Sequence, residues 1–281
     1  MTVKIVTDTL SDISADMAGE LGITLVPLYV RFGEELYKDR VDITSEEFYR
    51  RLVTESTLPS TTQPTPNDFA EVYRKLAGET DEILVVTVSS KLSGTYQSAV
   101  QAREMVKARC RIIVIDSMNV AMAMGLIVLS TAEAIKQGAG LDDASEFVSR
   151  AMGRSHLIAY FDTLKYLAKG GRIGKAQGLL GSMLSVKPIL TIREGEMAPL
   201  TRVRSMTAGL DYLYNVAAGY PNVERLAVEH GTTPADADKL VERLRQHFPG
   251  QPIYRSVLSP VIGTYAGPTA IAVTILEAEK K

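Results

Sequence analysis

The chain has no tryptophan, one cysteine and three histidines among its 281 residues. The single Cys110 closes no internal disulfide and supplies no cysteine-rich zinc cluster, which points to a reducing compartment. A surplus of either charge is also missing. The 31 basic and 33 acidic residues leave a formal net charge of -2 and lie in no long runs, so no global field draws nucleic acid or anionic lipid. The longest apolar segment, Val120 to Leu129, is too short to cross a bilayer. The opening "MTVKIVTDT" has no basic-then-apolar signal region, so the expected location is the cytoplasm, without stable membrane insertion. No GxxxxGK[ST], no GxGxxG after the first strand and no His, Cys and carboxylate cluster at metal spacing is present. Nucleotide and metal cofactors are therefore not expected.

What is present alternates. Apolar runs at Lys4–Thr7, Thr24–Val30, Ile83–Val88 and Arg111–Ile115 read as strands, and Ser14–Glu20, Ser45–Thr54, Pro66–Ala77, Tyr96–Ala108 and Ala121–Gln137 read as helices. Such alternation means a Rossmann-like parallel sheet flanked by helices. The near-continuous apolarity of Ile83–Val88 and Ile112–Ile115 suits strands buried on both faces. After residue 150 the rhythm changes. Asp142–Ala151 reads as a linking helix, strands are expected at His156–Phe161, Lys187–Ile192, Glu196–Arg204, Arg225–His230, Ile253–Leu258 and Ala270–Leu276, and helices at Thr207–Ala218 and Pro234–Phe248. Gly195-Glu196 reads as a hairpin turn. The expected architecture is α/β in two domains, residues 1–150 a parallel α/β domain and residues 151–281 a mixed-sheet α/β domain.

Ligands of a doubly wound sheet sit beyond the carboxyl ends of its strands, and here each of those ends carries a short polar loop: "DTLSD" (8–12), "SSKLSG" (89–94) and "DSMN" (116–119). A further polar loop, "LPSTTQPTP" (58–66), is stiffened by prolines. The hydroxyls of Ser93 and Thr95 have two readings. They cap the following helix, or they and the helix N-terminus hold an anion, with Gly94 letting the backbone come close. The loop alone does not decide. Serine hydrolysis needs a base within reach of the hydroxyl. Of the histidines, His247 reads as a helix-end residue, and His156 and His230 lie at strand ends with no evident carboxylate to orient them.

The ordered set "IVTDTLSD", "TTQP" (61–64), "SSKLSGTYQSA" (89–99), "LAKGGRIGKA" (167–176), "VKPIL" (186–190) and "GTYAGP" (263–268) resembles the DegV family of fatty-acid-binding proteins, which includes the acyl-carrying subunit of bacterial fatty acid kinase. The resemblance spans nearly the whole chain. It implies a two-domain α/β monomer enclosing one long-chain fatty acid such as palmitate, tail buried and carboxylate near the domain junction. The family's hydroxyl ligands match Thr61 and Ser93, with Thr62 and Gly94 assisting. Arg172 and Arg202 match residues implicated in meeting the kinase or its phosphate, Arg204 being a register alternative and ordinary surface ion pairs their plain account. Tyr265 stands beside the head group where many members carry histidine, keeping a hydroxyl donor but losing a titrating group. The resemblance further implies that the carrier itself has no catalytic residue and binds no nucleotide, and that it presents the acid to a separate ATP-dependent kinase.

A palmitate-sized tail of about 15 carbons gains roughly 12 kcal/mol on burial before ordering costs, and its carboxylate needs donors or water. Walls are expected from "QGLLGSMLSVKPIL" (177–190) and "TAIAVTIL" (269–276). Met118, Met122, Met124 and Met183 read mostly as core gap-fillers. Two rival readings remain: an acyl hydrolase or transferase using Ser93 with Tyr265 or a histidine, and a carrier of another amphipathic anion.

Overall fold

The computed structural model describes residues 2–106, 109–182 and 186–279. The chain opens with β1 (Lys4–Asp8), a 3-10 turn (Thr9–Ser11), α1 (Ala15–Leu21), β2 (Ile23–Val26), β3 (Tyr29–Phe32) and β4 (Glu35–Lys38). Next come α2 (Ser45–Thr54), β5 (Ser60–Thr62), α3 (Pro66–Leu76), β6 (Glu82–Thr87), α4 (Thr95–Met105), β7 (Arg111–Asp116), α5 (Met122–Lys136) and α6 (Leu141–Met152). The second half holds β8 (Ser155–Tyr160), α7 (Lys165–Lys169), a 3-10 stretch (Gly174–Ser182), β9 (Lys187–Arg193), β10 (Glu196–Val203) and α8 (Met206–Ala218). It ends with β11 (Val223–His230), α9 (Pro234–His247), β12 (Ile253–Val257), α10 (Pro260–Ala266) and β13 (Ile271–Glu277). Helix starts follow their caps: Ser14, Thr44, Thr65, Ser205 and Ser259 each accept the N–H three residues on, satisfying a donor the first turn leaves open.

The strands form a parallel sheet ordered β2-β1-β6-β7 and a mixed six-stranded sheet ordered β10-β9-β8-β13-β11-β12. This is the expected mixture of a parallel and a mixed sheet. A third, antiparallel sheet, β4-β3-β5, departs from the reading of Thr24–Val30 as one strand. Pro27 lacks the N–H a ladder needs, so β2 stops at Val26 and the chain re-enters a different sheet at Tyr29. That sheet also captures Ser60–Thr62, expected as loop, through pairing of Thr61 with Val30. The hairpin turn falls one residue earlier than expected. Glu194 and Gly195, both at positive φ, make it, and Arg193 pairs with Glu196. The expected helix end at Ala108 and the expected gap-filler Met183 lie outside the described residues.

Helix α5 is buried almost throughout, as an all-round apolar helix must be. It touches β6 on one side and β8, β11 and β13 on the other. Its Gly125 lets the helix approach the preceding chain, because a Cβ there would lie 2.3 Å from the Ser11 carbonyl oxygen. One apolar cluster consequently draws residues from both large sheets, while β8, β11 and β13 send their alternate side chains to a second cluster beneath α8 and α9.

Candidate ligand-binding site

An apolar cavity with about 700 Å³ of atom-free space, open solvent at its mouth included, lies between the large sheets. One wall is Leu10, Leu92, Val120 and Ala121, residues that follow the carboxyl ends of β1, β6 and β7, where an open parallel sheet presents ligands. The opposite wall is a sheet face. Leu157, Ala159 and Phe161 point into the cavity while Ile158 and Tyr160 pack in the second cluster, as the two-residue period of a strand requires. Ala159 pairs directly with Ala272 of β13, and both line the cavity. Two methyl groups side by side keep that face low. The roof is α10, through Val261, Ile262, Tyr265 and Ala266. The wall therefore comes from both halves of the chain: of the two expected stretches, 269–276 contributes Ala270, Ile271 and Ala272, while no described residue of 177–190 lines it, 183–185 lying outside the described residues.

Tyr265 and Arg172 line this cavity and also a polar vestibule of about 690 Å³, solvent included, whose other walls include Leu58, Ser60, Thr61, Tyr166, Lys169 and Thr264. The Tyr265 hydroxyl is hydrogen-bonded to that of Thr61. The Tyr265 ring seats on Gly170, where a Cβ would lie 2.3 Å from Cδ1. Arg172 places its guanidinium carbon 4.9 Å from the ring centroid, within cation–π range. Its position is set by two donated bonds, Nη1 to Gly170 O at 2.7 Å and Nε to Leu92 O at 3.1 Å. The "KGGR" sequence builds this locally. Gly171, at φ +72, ends α7 in the left-handed conformation that glycine takes without strain and turns Arg172 back, its N–H bonded to Leu167 O.

The serine-rich loop answers its own ambiguity only in part. Helix α4 starts at Thr95 with Gly94 at the cap and no side-chain cap bond. Ser93 Oγ is bonded to Thr95 Oγ1 at 2.9 Å and accepts the Thr95 N–H at 3.4 Å. Buried Ser89 donates to Gly195 O at 2.6 Å, tying the loop to the β9–β10 turn. Gly94 lies against Gln63, whose Nε2 would be 2.5 Å from a Cβ, so the 61–64 and 89–94 segments meet. The structure thus brings Thr61, Tyr265 and Arg172 into one cluster and sets Gly94, next to Ser93, against the neighbouring Gln63. Exposed Thr62, at the end of β5, and likewise Ser93 and Gly94, are not among the residues lining either space. Arg202 is exposed on the edge strand β10, opposite Pro188, and is not in the cluster.

The histidines do not support an esterase arrangement. His156 has a carboxylate after all, Glu277 at 2.7 Å, and stacks on Tyr220. Buried His230 holds Gly231 O through Nδ1, and burial lowers its pKa. His247 packs against Tyr214 and Phe248 at the end of α9. Among the described residues no histidine is hydrogen-bonded to Ser93, and no group of three or more His, Cys, Asp or Glu is arranged to hold a metal.

Sequence reasoning missed Tyr166 and Lys169 of the vestibule, and a buried acidic seam behind the cavity. Asp12 and Arg40, both at positive φ, form an ion pair at 3.0 Å. Asp12 also accepts the Ser259 N–H at the start of α10 at 3.1 Å. Burial raises the Asp12 and Glu229 carboxyls, each acid also lying near the other. Burial likewise pushes Asp39 up to about 7. Its carboxylate oxygens have no partner at standard geometry, yet the nearby Thr9 hydroxyl and Val261 N–H temper the shift. The signal was visible in "LSD" and "KDR" as charges beside apolar runs, but only the tertiary contacts bury them together.

The DegV family model, described as "Uncharacterised protein, DegV family", matches residues 2–278. A DegV domain-containing protein of Caldanaerobacter subterraneus subsp. tengcongensis is 38% identical over 275 residues, covering 96% of this chain and 97% of that protein. Among solved structures, a DegV family protein from Thermus thermophilus described by its fatty acid binding matches with a TM-score of 0.92 at 30% identity, covering 99% of this chain and 100% of that one. DegV of Bacillus subtilis, described as a fatty acid binding protein, matches with a TM-score of 0.92 at 29% identity and the same coverage. In sequence and in fold, this chain belongs to the DegV family.

Proposed function

We propose that this protein is a non-enzymatic carrier that binds one long-chain fatty acid and presents it to a separate ATP-dependent fatty acid kinase for acyl-phosphate formation. The observation that carries the reading is the junction of an apolar cavity with a polar vestibule at Tyr265 and Arg172, the amphipathic shape such an acid requires. The fatty acid binding of the Thermus thermophilus and Bacillus subtilis relatives supports it.

The tail occupies the cavity, where about 0.8 kcal/mol per buried methylene holds it. The carboxylate sits at the mouth, meeting the Thr61 and Tyr265 hydroxyls, with Ser93, Thr62 and Gly94 on the side reached through Gln63. Arg172 adds positive charge there. Its Nε and one Nη1 hydrogen already serve backbone carbonyls, so the side-on fork through Nε and Nη2 is closed to a carboxylate and Arg172 contributes positive charge through its remaining donors. A carboxylate held this way keeps an oxygen available to attack phosphorus. Arg172 and the more distant Arg202 are the residues for meeting the kinase or its phosphate.

Native mass spectrometry of protein purified from cells tests the binding. An adduct with the mass of a long-chain fatty acid is expected, and a phosphate ester in its place overturns the assignment. Adding a bacterial fatty acid kinase subunit with ATP tests presentation. Acyl-phosphate is expected from the parent, with reduced yield from Arg172→Ala and Arg202→Ala. Undiminished yield from both variants overturns the arginine assignment.

A further inference from the structure

Tyr265 occupies a position that head-group binding alone does not explain. It borders the cavity on one side and the vestibule on the other, so an acyl chain moving between them passes its ring. Two segments, β5 and the loop after α7, hold that ring between the two spaces. Thr61 of β5 bonds its hydroxyl, Gly170 after α7 provides a floor with no side chain, and Arg172 covers its face. The floor fits the ring closely, since a methyl group at Gly170 would lie 2.3 Å from Cδ1 and 2.4 Å from Cε1. Resting on the fatty-acid reading above, we propose that Tyr265 is the gate of the acyl cavity, latched by Thr61 and seated on Gly170, and that its swing sets the rate of fatty acid exchange.

A gate and a head-group contact differ in kinetics. Loss of a contact made only in the complex speeds dissociation and leaves association unchanged. Loosening a gate speeds both, because the same barrier is crossed in each direction. Gly170→Ala isolates the second effect. It removes no hydroxyl, and Gly170 has φ -82, a conformation alanine adopts readily, yet it pushes the ring off its seat. Tyr265→Phe removes the latch and keeps the ring.

Stopped-flow fluorescence with cis-parinaric acid measures association, and a chase with excess oleate measures dissociation. For Gly170→Ala, both rate constants are expected to rise by the same factor, about fivefold or more, the worth of one hydrogen bond. Tyr265→Phe is expected to raise the association rate constant by a similar factor. Association unchanged in both variants, with the parent binding normally, overturns the gate and leaves the fatty-acid reading standing. A parent that takes up neither this probe nor any other long-chain acid overturns that reading, and the gate with it.

Discussion

Ala272→Leu puts three carbons into the space that the cavity holds open. Ala272 is 4% exposed, lines the cavity and faces Ala159 across the β8–β13 ladder. At about 0.8 kcal/mol per methylene, a ligand that loses room for three methylenes forfeits about 2.4 kcal/mol, which is roughly 50-fold in Kd. The longest acids that the parent binds should suffer this loss in full, and acids about three carbons shorter should suffer little. The same substitution reports on the ligand-free protein. In a solidly packed core it would force overpacking and cost about 1–3 kcal/mol, whereas in a cavity the leucine fills existing space, and the thermal midpoint should hold or rise. The assays are titration with a series of saturated acids of increasing length and thermal unfolding of the delipidated protein. A preference for chain length unchanged from the parent, or a fall in midpoint typical of an overpacked core, refutes the placement of the acyl chain along the alanine pair.

Three other substitutions probe the seam, the helix packing and the head-group loop. Asp39, with a pKa raised to about 7 from 3.8, keeps a proton in the folded state that the unfolded chain releases, so its contribution to stability falls as pH rises from about 4 to above 7. Asp39→Asn should flatten the stability difference between pH 5 and pH 8 in urea melts, leaving the parts due to Asp8, which is also raised to about 7 by burial, and to Asp12 and Glu229, raised likewise; an unaltered slope would show that Asp39 is not the group responsible. Gly125→Ala should destabilise by about 1–3 kcal/mol despite alanine's better helix propensity, because the added Cβ would lie 2.3 Å from Ser11 O and 2.9 Å from Met122 Sδ; a gain in stability by chemical denaturation would contradict the packing. Ser93→Ala should lower kinase-coupled acyl-phosphate formation more than fatty acid affinity, and equal losses in both assays would refute a presentation role for that hydroxyl.

The sequence by itself determined the elements whose patterns are local. Buried parallel strands such as Glu82–Thr87 announce themselves by continuous apolarity, and helix starts by Ser and Thr caps, because strand burial and capping depend on residues a few positions apart. The motif set that resembles the DegV family was legible for the same reason, each piece being a short contiguous stretch. Only the tertiary structure decided what those loops form together. Ser60–Thr62 becomes a strand because β3 lies beside it, and Tyr265, which lines both the cavity and the vestibule, meets Thr61, 204 positions away. Asp8 and the three acids of the seam, Asp12, Asp39 and Glu229, are surface-like in sequence, and all four are fully buried in the fold. The cavity is a volume left between α10, the parallel sheet and a face of β8 and β13. Empty space has no residues of its own, so no local pattern encodes it, and it exists only through the distances at which those elements pack.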